Sequence, residues 1–181
     1  DAVALARYLE FYGGAADKLH GDTIPFMDGY TVMTFWEPHG VTGHIIPWNY
    51  PAQMFGRTLA PALAAGNACV LKPAEEACMT VLRLTELAHA AGCPPGVLNL
   101  VTGYGEEAGA ALAAHPGIDF LSFTGSPEVG TLVQKACADH HRWILEHGTS
   151  PRHMVKLSLE PPRRSRLRCL RAPDVATYRP Q

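Results

Sequence analysis

From residue 52 onward, the sequence alternates helical segments with short apolar runs, and this order constrains the fold more than any other feature. The apolar runs "ACVLK", "GVLNLVTG" and "IDFLSFTG" are almost continuous, whereas a strand with one face in water would alternate apolar and polar residues. A helical segment follows each run, and Ser126-Pro127 provides an N-cap and a favoured first residue for the last helix. This order predicts an α/β fold with a parallel sheet covered by helices on both faces.

The segments on either side of this region follow other patterns. The opening residues predict a helix, a break at Gly13-Gly14 and a second short helix, followed by strands in "TVMTFWE" and "VTGHII". After about residue 141, arginines and prolines accumulate, and only "MVKLSLE" resembles a strand. We therefore predict that the sheet is not continued there. The expected boundaries are a domain over residues 1–141 and a divergent tail over residues 142–181, with disorder of the tail as an open alternative.

Composition excludes several classes of protein. A hydrophobic fraction of 47%, a charged fraction of 18% and a net charge of -2 are typical of a globular domain and give no general attraction to nucleic acid or anionic membranes. We find no signal peptide and no apolar stretch long enough to span a membrane, so the expected location is cytoplasmic. The five cysteines include no CxxC pair and no zinc-type spacing. No metal site is predicted.

The stretch "HIIPWNYP" holds Trp48 and Asn49 between two prolines, directly after an apolar strand. Proline fixes its own backbone and restricts the preceding residue, so this stretch cannot lie inside a regular element. Three other strand ends, "VLKPAEE", "VTGYGEEAG" and "FTGSPEVG", carry charged residues or glycines before a helix. Such helix starts can bind a phosphate, although each could equally be a plain turn. The G-x-G-x-x-G dinucleotide fingerprint is absent.

Taken together, four segments resemble the NAD(P)-dependent aldehyde dehydrogenase superfamily. They are "GVTGHIIPWNYP", "LAPALAAGNACVLKPAEE", "PPGVLNLVTGYGEEAG" and "FLSFTGSPEVG", and they stand in that family's order and spacing. The resemblance covers residues from about 2 to 141 and implies a Rossmann-like domain that binds NAD(P), within an incomplete aldehyde dehydrogenase fold.

The resemblance implies a cofactor site built from the strand ends. Lys72 and Glu75 match positions that hold the adenosine ribose, and the Glu75 carboxylate would repel a 2′-phosphate, so NAD is expected and NADP remains an alternative. Further matches on the adenine and pyrophosphate side are Gly105, Phe123, Thr124, Gly125, Ser126 and Val129. The residues implied to lie against the cofactor near the substrate are Ile46, Pro47 and Trp48.

The resemblance also gives Asn49 a catalytic role. Its side-chain amide would donate a hydrogen bond to the oxygen of the thiohemiacetal, and such a preorganised donor is typically worth about 3–4 kcal/mol.

The reaction also needs a glutamate base and a cysteine nucleophile. Two glutamates match the family's "LELGGK" motif imperfectly: Glu160 in "VKLSLE", which we favour, and Glu146 in "ILEHGTSP" as the alternative. The family's "GQxC" motif is absent, so no nucleophilic cysteine is assigned. Cys69 and Cys137 are predicted to be buried apolar residues, and Cys169 has the wrong surroundings.

The resemblance implies oxidation of an aldehyde to a carboxylic acid by a truncated family member. The main alternative is a dinucleotide-binding fragment without turnover. A nucleic-acid role for the arginine-rich tail is a weaker alternative, because no aromatic residues are interleaved with the arginines. Full-length relatives are usually dimers or tetramers, and the oligomeric state of this chain stays open. The abrupt loss of pattern also suggests a frameshift, which the coding nucleotides would reveal.

Overall fold

A computed structural model describes residues 1–138, 143–148 and 168–171. The chain divides into two compact units, one formed by Asp1–Ala16 with Pro38–Leu157 and the other by Asp17–Glu37 with Ser158–Gln181. Each unit is described by itself.

The first unit contains a five-stranded parallel sheet. Its strands are β3 (Val41–Ile46), β4 (Ala68–Pro73), β5 (Leu98–Leu100), β6 (Phe120–Gly125) and β7 (Trp143–Gly148). Their spatial order is β5-β4-β3-β6-β7, and every neighbouring pair is parallel. The helices are α1 (Ala2–Ala15), α2 (Pro51–Ala64), α3 (Cys78–Ala90), α4 (Ala110–Ala114), which follows a π-helical turn at Gly105–Gly109, and α5 (Pro127–Ala138).

The helices cover both faces of this sheet, which confirms the predicted fold class. On one face, Leu5 of α1, Leu59 of α2 and Val81 of α3 pack against Leu71 and other buried strand residues. On the other face, residues of α4 and α5 pack against β6; they include Leu112, Ala113, Val133 and Cys137. The strands thus have apolar side chains on both sides, as continuous apolar runs require.

Local chain signals explain where the main helices end. Gly66 follows α2 with a φ of 81°, and Gly92 follows α3 with a φ of 99°. At both ends, backbone N–H groups return to carbonyls of the last turn, for example Asn67 N–H to the Ala62 oxygen at 3.1 Å. A left-handed residue at this position is the usual way to satisfy terminal helix carbonyls, and glycine adopts it without steric cost.

Two sequence predictions about this unit are wrong. The chain re-enters the sheet after residue 141, because Trp143–Gly148 forms β7 in parallel register with β6. Among the described residues β7 pairs on one side only, and an edge strand does not need the long apolar run that marks a buried strand. The break predicted at Gly13-Gly14 is also absent, since α1 continues through both glycines. A glycine inside a helix costs only about 1 kcal/mol.

The second unit contains a three-stranded antiparallel sheet. Its strands are β1 (Thr23–Ile24), β2 (Tyr30–Met33) and β8 (Arg168–Arg171), in the order β1-β2-β8. Gly29, with a φ of 81°, lies in the turn between β1 and β2.

Candidate cofactor site

The strand order of the parallel sheet reverses between β3 and β6, and this reversal is the switch point of the sheet. From β3 the chain winds outward to β4 and β5, then crosses to β6 and winds the other way to β7. In doubly wound sheets, ligands bind at such a point, beyond the carboxyl ends of the strands. Ile45 of β3 is in register with Phe123 of β6, so the turns after these two strands lie side by side.

The turn after β3 contains the predicted residues Pro47, Trp48 and Asn49. It leads into Tyr50, whose φ of 53° and ψ of 53° are left-handed, which is uncommon for a residue with a side chain. Trp48 is 65% exposed and Asn49 is half-buried. Within the described part of the chain, the Asn49 side chain makes no hydrogen bond, so its amide is available to a ligand.

The start of α2 is capped by Asp1, a residue that sequence reasoning missed. The Asp1 carboxylate accepts hydrogen bonds from the N–H groups of Ala52 at 3.2 Å and Gln53 at 2.7 Å. Helix starts leave such N–H groups unpaired, and an asparagine nearby often accepts from them. Because Asp1 fills this role from 51 positions away, Asn49 does not have to cap the helix.

The predicted pair Lys72 and Glu75 lies at the end of β4, with Lys72 on the strand and Glu75 at the start of the short 3-10 helix that follows it. Lys72 is 3% exposed and its Nζ lies 3.0 Å from Glu75 Oε2. The pKa of the Glu75 carboxyl lies below its usual value, chiefly because the Glu75 backbone N–H donates to it, with further contributions from Lys72 and the Gly105 N–H. Glu75 therefore carries a charge at neutral pH and connects the ends of β4 and the π-helical turn.

An apolar cavity of about 500 Å³ opens between the π-helical turn, α4 and α5. Four of the predicted cofactor residues line it together: Glu75, Gly105, Phe123 and Val129. The other lining residues are Ile45, Glu106, Gly109, Ala110, Ala113, Ala114, Leu132, Val133 and Ala136. The sequence analysis singled out neither Leu132 nor Glu106, although Glu106 lies in the quoted segment "VTGYGEEAG".

Thr124 and Gly125 are the last two residues of β6, and Ser126 connects the strand to α5. Ser126 caps α5 as predicted, since its Oγ accepts from the Val129 N–H at 3.4 Å. A Cβ on Gly125 would lie 2.4 Å from Cζ of Phe123, so the ring of Phe123 occupies the space that a side chain would need.

Comparisons with known proteins decide the family. The sequence profile of the aldehyde dehydrogenase family matches residues 1–159. The chain belongs to the aldehyde dehydrogenase family. It is 53% identical over 138 residues to hydroxyisobutyraldehyde dehydrogenase of Mycolicibacterium austroafricanum, covering 76% of this chain and 27% of that protein. It is 50% identical over 136 residues to human retinal dehydrogenase 2, covering 75% of this chain and 26% of that protein.

Solved aldehyde dehydrogenase structures have the same fold in this region. A Burkholderia cenocepacia structure, described as a candidate aldehyde dehydrogenase, is 67% identical with a TM-score of 0.78, covering 79% of this chain and 30% of that chain. The NAD+ complex of aldehyde dehydrogenase from Bacillus cereus is 39% identical with a TM-score of 0.79, covering 81% and 30%. The chain therefore spans less than a third of the length of these relatives, and its aldehyde dehydrogenase fold is incomplete.

Of the two candidate bases, only one lies within the described residues. Glu146 lies on β7, where its backbone is in register with Phe123 of β6. Glu160, the favoured candidate from sequence, lies outside the described residues.

The four cysteines with described side chains are all buried or half-buried. Cys69 and Cys137 are 0% and 1% exposed. Burial raises the pKa of the Cys69 thiol, which disfavours the reactive thiolate. Cys78 and Cys93, each half-buried, lie at the start of α3 and just beyond its end.

A buried polar network under the switch point was also missed from sequence. His44 Nδ1 lies 2.6 Å from Thr58 Oγ1, and its Nε2 lies 2.9 Å from Thr42 Oγ1. Thr58 in turn contacts Ser122 Oγ at 3.3 Å. The network joins β3, α2 and β6, the elements that flank the two candidate turns.

The charge state of His44 follows from its surroundings. Thr42 Oγ1 donates to the Ala68 carbonyl at 3.1 Å, so it accepts from His44, and we assign the imidazole proton to Nε2. Burial lowers the pKa of His44 from 6.5 to about 4. The imidazole is therefore neutral at physiological pH.

No group of acidic, histidine or cysteine side chains with the arrangement of a metal site occurs in the part of the chain that the structure describes. None of the helices among the described residues has the length and apolar character needed to cross a bilayer.

Proposed function

We propose that this chain is the cofactor-binding portion of an NAD(P)-dependent aldehyde dehydrogenase, which oxidises an aldehyde to a carboxylic acid. The observation that carries the proposal is the cavity at the switch point, where Glu75, Gly105, Phe123 and Val129 meet although they come from four separate segments. A dinucleotide needs this combination of an apolar slot and polar groups at its mouth.

The cavity fits the adenosine end of NAD. Its walls are almost entirely apolar, and Val129 and Leu132 of α5 could cover one face of an adenine ring. The Glu75 carboxylate, oriented by Lys72 at 3.0 Å, can accept hydrogen bonds from ribose hydroxyls. Gly105, without a side chain, leaves room for close approach.

The turn after β6 suits the pyrophosphate. Thr124, Gly125 and Ser126 precede the 12-residue helix α5, whose N-terminal end favours a negative charge. We assign Ile46, Pro47 and Trp48 to the nicotinamide side, because Ile46 ends the neighbouring strand β3 and the other two residues follow it directly.

The proposed chemistry places Asn49 beside the reacting carbonyl. When bound, NAD supplies an acceptor for the hydride that leaves the substrate carbon. Asn49 would donate its free amide to the oxygen that becomes negatively charged, and the two prolines of its turn keep the donor fixed before the reaction begins. A donor that needs no reorganisation stabilises the charged state without an additional entropic cost.

For the base that activates water, we now propose Glu146 rather than Glu160. The support is the register of β7, which brings the backbone of Glu146 alongside Phe123, one strand from the Asn49 turn. The nucleophilic cysteine remains unassigned in this chain.

Other features of the proposal follow from the family and composition. The substrate is an aldehyde. The four cysteines with described side chains are free thiols, which supports a reducing compartment, and we propose the cytoplasm.

The test is calorimetric titration of the chain with NAD+, together with assays of NADH production from a panel of aldehydes. We expect binding. Val129→Asp should abolish it, because the new carboxylate would lie in the apolar slot, whereas Val3→Asp on the exposed side of α1 should leave affinity unchanged. Absence of NAD+ affinity in the folded chain would refute the proposal. Binding without turnover would favour the alternative, a non-catalytic dinucleotide-binding fragment.

A further inference from the structure

The charged side chains that line the 500 Å³ cavity are Glu75 and Glu106, and both are acidic. They come from adjacent parts of the sheet edge, Glu75 from the turn after β4 and Glu106 from the π-helical turn after β5. Lys72 does not offset them at the cavity, because it is 3% exposed and its ammonium is already paired with Glu75 at 3.0 Å. The mouth of the cavity therefore presents negative charge to any ligand.

We propose that Glu106 is a second specificity-determining residue, which acts with Glu75 to reject a dinucleotide carrying a 2′-phosphate and so selects NAD over NADP. The proposal rests on the proposed function, since it requires the adenosine end to occupy this cavity. A 2′-phosphate carries a charge of about -1.5 to -2 at neutral pH, so two carboxylates on the same cavity oppose it strongly.

Glu106 and the adjacent Glu107 differ in their position relative to the cavity. Glu106 and Glu107 are adjacent, of the same residue type, both exposed, and both in the first turn of the π-helical segment. Only Glu106 of the two lines the cavity. The chain thus contains its own matched control, which differs in position but not in the charge that is removed.

Glu106 adds to the repulsion of a phosphate that Glu75 already provides. Glu75 accepts hydrogen bonds from its own N–H and from Lys72, so part of its charge is neutralised locally. No ion pair between Glu106 and a basic residue is found in the described part of the chain. Its charge therefore acts more fully on an incoming phosphate, limited by screening from water and salt.

The experiment measures dissociation constants of NAD+ and NADP+ for the wild-type chain, Glu106→Gln and Glu107→Gln, by calorimetry. Glu106→Gln should tighten NADP+ binding about threefold to fivefold, as expected for loss of one exposed charge interaction, and change NAD+ binding by less than about twofold. Glu107→Gln should leave both constants unchanged. Adenosine 2′,5′-bisphosphate and AMP, titrated in the same way, should repeat the pattern and so locate the effect at the adenosine end.

Salt provides a second measurement. The effect of Glu106→Gln should shrink as ionic strength rises from about 20 to 300 mM, because the Debye length falls over this range. Two results would overturn the inference alone: NAD+ binds but Glu106→Gln leaves the NADP+ constant unchanged, or Glu107→Gln has the same effect as Glu106→Gln. If neither nucleotide binds a folded chain, the proposed function fails as well, and that outcome is distinct from the other two.

Discussion

Acidification should destabilise the first unit through His44. Folded His44 has a pKa of about 4, whereas the exposed imidazole of the unfolded chain has the ordinary value of 6.5. Between these values the unfolded chain binds a proton that the folded chain does not, so stability falls as pH is lowered through this window. The full gap corresponds to about 3 kcal/mol, a large part of the 5–15 kcal/mol that is typical of a domain.

The structural reason is that a second proton on His44 would reverse the hydrogen bond between Nδ1 and Thr58 and leave a positive charge in a buried site. Nδ1 already accepts from Thr58, 2.6 Å away, and a proton there would force the Thr58 hydroxyl to turn toward Ser122. A charged imidazole would also remain 2% exposed, without a carboxylate among its hydrogen-bond partners.

The assay is urea unfolding at a series of pH values from about 4 to 7.5, followed by circular dichroism, for the wild type and His44→Gln. The variant will be less stable at neutral pH, because the network is altered. The informative quantity is the difference in free energy of unfolding between the wild type and His44→Gln. This difference should decrease by about 3 kcal/mol as pH falls from 6.5 to 4. His89→Gln, which removes an exposed histidine of α3, is the control for the loss of a histidine outside the buried network. If the free energies of unfolding of the wild type and His44→Gln differ by the same amount at every pH, the reasoning is refuted.

Two further predictions concern the candidate turns. Asp1→Ala should lower the free energy of unfolding by about 1 kcal/mol in urea titrations, because it removes the cap of α2, while Glu10→Ala on the exposed part of α1 should not. Equal effects of the two substitutions would contradict the capping role. Gly125→Ala should displace the ring of Phe123, since the new Cβ would lie 2.4 Å from Cζ. Because Phe123 lines the cavity, NAD+ binding measured by calorimetry should weaken. Unchanged NAD+ affinity together with unchanged stability would contradict this prediction.

The local order of the sheet region could be predicted from sequence because each element is specified by nearby residues. "ACVLK" and "FLSFTG" are apolar runs, and Ser126-Pro127 and Gly66 punctuate the helices. The helix caps at α5 and the ends of α2 and α3 depend on the same short-range signals, and the structure has them where they were expected.

Other features could not be predicted because they depend on contacts between distant positions. Asp1 reaches α2 only because α1 packs closely on it; a Cβ on Gly56 would lie 2.7 Å from Leu5. His44 is one polar residue in the run "VTGHII", and its partner Thr58 lies 14 positions further on. The strand β7 was missed because pairing with β6, rather than an apolar run, defines it.

The positions of the cavity residues along the chain explain why we expect NAD+ binding but do not predict turnover of an aldehyde. The cavity walls lie between Ile45 and Ala136, in a segment with a complete helix-covered sheet. The residues that we propose for the adenosine end therefore all lie within the described part of the chain. The reaction additionally requires a thiolate near Asn49, and the most buried cysteine, Cys69, is held on β4 as a neutral thiol by its own burial. The proposed cofactor cavity is present and no nucleophile is assigned, so NAD+ affinity is the property that tests this chain most directly.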